Sequence, residues 1–128
     1  METGIKGTQE LVVSKETSAK AVGSGLLDVF ATPSMIALME KTASESVQSY
    51  LEEGQGTVGT KIDISHVAAT PLGMKVTCNT QLVEVDRRKL VFKVEAYDQK
   101  GLIGEGTHER FIIESEPFQQ KADAKNDM

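Results

Sequence analysis

A single cysteine, Cys78, excludes an internal disulfide framework and any multi-cysteine metal site. It stands in the alternating stretch "MKVTCNTQLVEV", so a small buried hydrophobe is expected there. Histidine is nearly as scarce, with only His66 and His108, and no i, i+4 pair marks a metal site. No metal or other cofactor is expected. Tryptophan is absent, no apolar run approaches the ~20 residues of a membrane span, and "METGIKGTQELVVSKE" lacks the layout of a signal peptide. A cytoplasmic location without a membrane partner follows as the expectation. Excess basic charge is missing as well: the net charge of −5 argues against a nucleic-acid partner. The one dense basic patch, "DRRK" at Asp86–Lys89, reads as a solvated hairpin turn. No nucleophile elbow occurs, and "GQGTVGT" lacks the Lys-Ser or Lys-Thr pair of a phosphate loop.

What is present suits one ordinary globular domain over residues 1–128, with 39% hydrophobic and 26% charged residues. Its polar end, from residue 117 to 128, is expected to be frayed. "TQELVVS" is a short strand candidate, and "GSGLLDVF" a loop feeding a helix. That helix is expected from near Thr32, with Thr32 able to cap and Pro33 in the first turn, to Glu53, stopping at Gly54. After it the apolar period falls to two. "TVGTKIDISHVAAT", "MKVTCNTQLVEV", "KLVFKVEAYD" and "LIGEGTHERFIIE" read as four strands, with antiparallel hairpins between the late ones. An α+β fold with a curved sheet around a long central helix follows. One helix leaves much of that sheet's apolar surface uncovered, so a homodimer is expected, with Leu38 placed outward on the helix.

Two features admit a chemical reading beside a purely structural one. Counting 100° per residue from Ile36, Met39, Ala43, Val47, Tyr50 and Leu51 lie within about 60°, and Glu40 lies inside that arc at about 40°. An acid on a buried stripe is costly without compensation. His66 continues the inward face of Ile62 and Ile64, so Glu40 and His66 are predicted to face each other, as a structural hydrogen bond or as an acid–base pair. In "LIGEGTHER", Gly104, Gly106, His108 and Arg110 share one face; the glycines permit close approach, and Arg110 could hold a carbonyl or phosphate oxygen. "ATPLG", with Thr70 and Pro71, is expected to be a plain turn. Gly59 lies on the opposite strand parity to His66.

The stretches "VFATPSMIALMEK", "YLEEGQGTVGTKIDISHVAATPLG" and "GEGTHER" resemble, in order and spacing, the hotdog-fold thioesterases of the fluoroacetyl-CoA thioesterase-like family. The resemblance runs from about Val29 to Phe118. It implies a hotdog fold, a long central helix wrapped by a five-stranded, mostly antiparallel sheet. It also implies hydrolysis of a short-chain acyl-CoA to free acid and coenzyme A, in a dimer with pockets at the subunit interface. Its catalytic threonine, glutamate and histidine fall on Thr32, Glu40 and His66, and its substrate-contacting glycine and arginine on Gly59 and Arg110. The sequence departs from that family before Thr32: Gly23 and Leu26 stand where a phenylalanine-containing lid is found, so selectivity for fluoroacetyl over acetyl is not implied. The alternative is an acyl-CoA binding or sensing module that does not hydrolyse. Eight helical residues separate Thr32 from Glu40, a rise of about 12 Å. Either the helix begins later, with Ser34 as cap, or neighbouring subunits supply different members of the set.

Overall fold

A computed structural model describes residues 1–127. Five strands, β1 (Lys6–Val12), β2 (Gln55–His66), β3 (Lys75–Asp86), β4 (Lys89–Asp98) and β5 (Gly101–Glu114), form one sheet in the order β1-β3-β4-β5-β2. Every pairing is antiparallel. The long helix α2 (Thr32–Gln48) lies in the concave face, and a short helix α1 (Ala19–Val22) precedes it. The architecture is therefore α+β, with a single central helix and a five-stranded sheet, as the pattern of periods predicts. The tail expected to be frayed instead continues β5 into a helix, α3 (Ser115–Asp123), that buries none of its residues.

Period-2 burial builds the inner face of the sheet. Val76, Cys78 and Leu82 on β3 and Leu90, Phe92, Val94 and Ala96 on β4 are all fully buried. Against them α2 buries Met35, Leu38, Met39, Thr42, Ala43 and Val47. Each large apolar side chain contributes on the order of 1.5–3 kcal/mol. The cap adds nothing comparable, because the N-cap residue is Ala31 and no side chain caps the helix. A polar cap there would be worth about 1 kcal/mol. Packing, not capping, holds α2.

Three helix expectations need correction. The helix ends at Gln48, not Glu53, and Gly54 (φ 85°) instead serves the turn that begins β2. Tyr50 therefore leaves the helical stripe and is exposed. The buried arc is also rotated by about 80° from the one centred on Ile36, so Glu40 sits at its edge. Leu38, expected outward, is buried, because the sheet curls until β1 covers that flank of the helix.

Consecutive strands β2 and β3 are not neighbours. The connection between them runs past the start of α2, where Phe30 N–H donates to the Thr70 carbonyl (2.8 Å) and Val29 bridges Pro71. Thr70, buried, donates its hydroxyl to Asp98 Oδ2 at 2.8 Å. So "ATPLG" is more than a plain turn: it clamps the helix start beside the end of β2.

Curvature comes from register shifts at Gly59/Lys61, Leu82/Glu84 and Ala96/Tyr97, and from glycines where layers touch. A Cβ on Gly106 would collide with the Asp63 carbonyl and lie 2.7 Å from Ile64 Cα on the paired strand. Relief would need backbone movement. Gly106→Ala is expected to cost about 2–3 kcal/mol, lowering Tm by about 10 °C in a thermal melt; an unchanged Tm would contradict this close approach.

Candidate active site

Thr32 and His66 meet at the start of α2. Thr32 Oγ1 lies 2.7 Å from His66 Nδ1. Because α2 begins at Thr32, this hydroxyl belongs to the first turn of the helix and is free of capping duty. His66 is the last residue of β2, and its ring is half buried. Burial pushes its imidazole below the ordinary range against a smaller opposing pull from the Ala68 backbone, so the ring stays neutral to lower pH than a free histidine. Its Nε2 is buried and has no hydrogen-bond partner among the described residues. Around this pair opens a cleft of about 320 Å³, walled by Ala19, Val29, Phe30, Ala68 and Ala69. A small cleft with mostly apolar walls, Ser24 apart, beside a hydroxyl–imidazole pair suits a short acyl group. Leu26 and Leu27, in the loop after α1, are 89% and 68% exposed.

Glu40 is elsewhere. The pattern of faces predicts that it meets His66, but within the chain it does not: its carboxylate instead lies 3.9 Å from Arg110 Nη1. The acid near the buried edge of α2 is thus compensated by a guanidinium on β5, three strands beyond β2 in sequence but its direct neighbour in the sheet. Arg110 is only 7% exposed and is held by several acceptors. Its Nε donates to Thr57 Oγ1 (2.7 Å), its Nη2 to the Thr57 carbonyl (2.9 Å) and its Nη1 to His108 Nε2 (3.1 Å). Burial lowers the guanidinium's pKa while Glu40 opposes the shift, and the group remains charged.

Gly59 belongs to this second cluster because of a bulge. Gly59 pairs with Arg110 and Lys61 with Glu109, which leaves Thr60 as an extra residue on β2. The insertion switches strand parity, so Gly59 faces inward with Ile62 and His66, despite its opposite parity in the sequence. A Cβ on Gly59 would lie 2.8 Å from Glu40 Oε2 and 3.2 Å from His108 Cε1. Glycine is what lets this backbone approach the carboxylate. Glu40, Gly59, Ile62 and His108 border a cleft of about 250 Å³. The structure therefore brings Thr32 to His66, and Glu40 to Gly59 and Arg110. It does not join the two groups in one chain. The Thr57 and His108 contacts to Arg110 had one legible signal, the shared face of His108 and Arg110 in "GTHER"; nothing in the sequence signals Thr57.

The match to known proteins coincides with these elements. The family model for FlK, the fluoroacetyl-CoA-specific thioesterase, matches residues 13–116. The fluoroacetyl-CoA thioesterase of Streptantibioticus cattleyicolor is 44% identical over 98 residues, spanning 77% of this chain and 70% of that one. The chain belongs to the fluoroacetyl-CoA-specific thioesterase family. A solved structure of the fluoroacetyl-CoA thioesterase FlK superposes with a TM-score of 0.93 at 37% identity, covering 98% of this chain and 97% of that one. A thioesterase-superfamily protein of Thermus thermophilus superposes at 0.90 with 26% identity, covering 98% and 93% of the two chains. Membership makes the fold a hotdog and the protein a thioester hydrolase.

Proposed function

We propose that this protein hydrolyses short-chain acyl-CoA thioesters to the free acid and coenzyme A in the cytoplasm, as a homodimer. The observation that carries this reading is the 2.7 Å contact between Thr32 Oγ1 and His66 Nδ1 in a small apolar cleft at the start of a helix. The thioester carbonyl would sit over the first turn of α2, where Thr32 and Ser34 carry backbone N–H groups without intrahelical acceptors and Pro33 carries none. These donors and the positive end of the helix dipole would stabilise the oxyanion as it develops. His66 Nδ1 takes a proton from a water held by Thr32 Oγ1, the hydroxide adds to the carbonyl, and the proton passes to the sulfur as the C–S bond breaks, leaving the free acid and coenzyme A. Arg110 holds a polar part of the substrate beside Glu40, and Gly59 leaves room for it.

Two observations support a site shared between subunits. With Nδ1 acting as base, His66 Nε2 bears a proton, and this buried atom completes no hydrogen bond among the described residues, with only the Ala68 backbone drawing on the ring. β2 is also an edge strand of 12 residues, a surface that a second copy would cover. Antiparallel pairing of two β2 strands about an axis near Ile62 and Asp63 would set His66 opposite Gly59 of the partner subunit. Glu40 of the partner subunit would then approach His66 and could accept from Nε2.

The test is release of free thiol from acetyl-, fluoroacetyl-, propionyl- and butyryl-CoA. Turnover of at least one is expected. Without an aromatic residue at Gly23 or Leu26, fluoroacetyl-CoA is expected to hold less than about a tenfold kcat/KM advantage over acetyl-CoA. Tight acyl-CoA binding with no thiol release would replace hydrolysis by a binding role.

A further inference from the structure

We infer that His108 is a positioning residue for Arg110, and that the bulge at Thr60 is the device that sets its tautomer. This rests on the reading of Arg110 as a substrate-holding group. The chain of contacts starts from one extra residue. Thr60 interrupts the register between β2 and β5, and its hydroxyl donates to the Glu109 carbonyl at 3.2 Å. Next to it the Lys61 carbonyl lies 2.8 Å from His108 Nδ1. A carbonyl can only accept, so Nδ1 carries the proton. In a neutral ring Nε2 is then an acceptor, and it faces Arg110 Nη1 at 3.1 Å. A tautomer with the proton on Nε2 would put an N–H against an N–H and lose both bonds.

The imidazole is well suited to that task. It is 1% exposed and stacks on Phe92, with centroids 6.3 Å apart and planes 30° from parallel. Burial, and secondarily the Arg110 charge, push it below the ordinary imidazole range, against the opposing pull of the Lys61 carbonyl and of Glu40 and Glu109. A neutral, immobile acceptor thus fixes one arm of the guanidinium while Thr57 fixes the others. Of five guanidinium N–H groups, three are committed to Thr57 and His108. One N–H on each terminal nitrogen is left, and His108 decides where the Nη1 proton points: along the side of the cleft that holds Glu40. His108 acts on the reaction through Arg110, not by touching the substrate.

A double-mutant cycle on the full-length protein tests this, with kcat and KM for acyl-CoA turnover as readouts. Gln at position 108 can present an oxygen near the place of Nε2, whereas Asn preserves only the donor to Lys61. His108→Asn is expected to lower kcat/KM at least about tenfold, and His108→Gln to stay within about threefold of the parent. In an Arg110→Leu background, His108→Asn should cause no further loss. Full additivity, or an unaffected His108→Asn, would overturn the inference. If Arg110→Leu itself left kcat/KM intact, the reading of Arg110 would fail first, and the His108 role with it. The parent protein supplies a measurement free of folding defects. Imidazole ¹⁵N shifts should show the Nδ1–H tautomer at His108, and the Nε2–H form would overturn the inference.

Discussion

His66→Ala is expected to lower thioesterase kcat by at least about a hundredfold, the scale of lost general acid–base catalysis. The effect should fall on kcat rather than on the fold, since the ring is only half buried and has one side-chain partner among the described residues, Thr32. Melting temperatures of variant and parent should agree within a few degrees. The pH profile of the parent supplies the sign. A base works when unprotonated, and burial lowers the pKa of His66. The acid limb of kcat should therefore fall below the usual histidine range, with activity retained as pH drops past the point where a free imidazole would be mostly charged. An acid limb above that range, or near-normal turnover in folded His66→Ala, would remove His66 from the mechanism.

The residues of the Thr32–His66 pair were legible because each depends on a local rule. Pro33 marks the first turn of a helix, and the alternation Ile62, Ile64, His66 puts the imidazole on the inner face. The face of "GTHER" was legible for the same reason: Gly104, Gly106, His108 and Arg110 share a parity that nothing in β5 interrupts. Where an element's environment is set by another element, local rules gave the wrong partner. The helix pattern places Glu40 on an apolar arc, but only the reach of the curled sheet decides where that arc ends. β1 closes over Leu38 and rotates the buried face, and Glu40 is left at the margin. His66 is the histidine next in sequence, while Arg110 is next in space because β2 leaves β3 and joins the far edge beside β5. No periodicity in the chain encodes that strand order.

Thr60 shows the same limit at the scale of one residue. Sequence parity puts Gly59 opposite His66, and the bulge reverses it. A bulge is an agreement between two strands on how many residues to spend, so neither strand's pattern reveals it alone. Its consequences concentrate at the site. Gly59 comes under the Glu40 carboxylate, and the Lys61 carbonyl meets His108. A strand without Thr60 would lose both contacts together.

Equimolar mixing of His66→Ala and Glu40→Ala subunits, after dissociation and reassociation, is expected to restore about a quarter of parental activity from two nearly inactive parents. Each variant alone should retain about 1% or less. The argument is geometric. Thr32 and Glu40 share one continuous helix that starts at Thr32, so the later start at Ser34 that would have eased their separation does not occur. Their rise along the axis is about 12 Å. Gly59 and His66 stand on the order of 20 Å apart along β2. One chain therefore cannot bring the Glu40 cluster to the His66 ring, whereas a second copy paired along β2 can. In a mixed dimer one site then joins two altered residues and is dead. The other joins an intact His66 to an intact Glu40. Random association makes half of the dimers mixed, and each carries one working site of two. If each chain built its own complete site, mixing would restore nothing. A sedimentation measurement on the same samples separates the cases: a dimer without recovery would overturn the shared site, and a monomer would overturn the assembly itself.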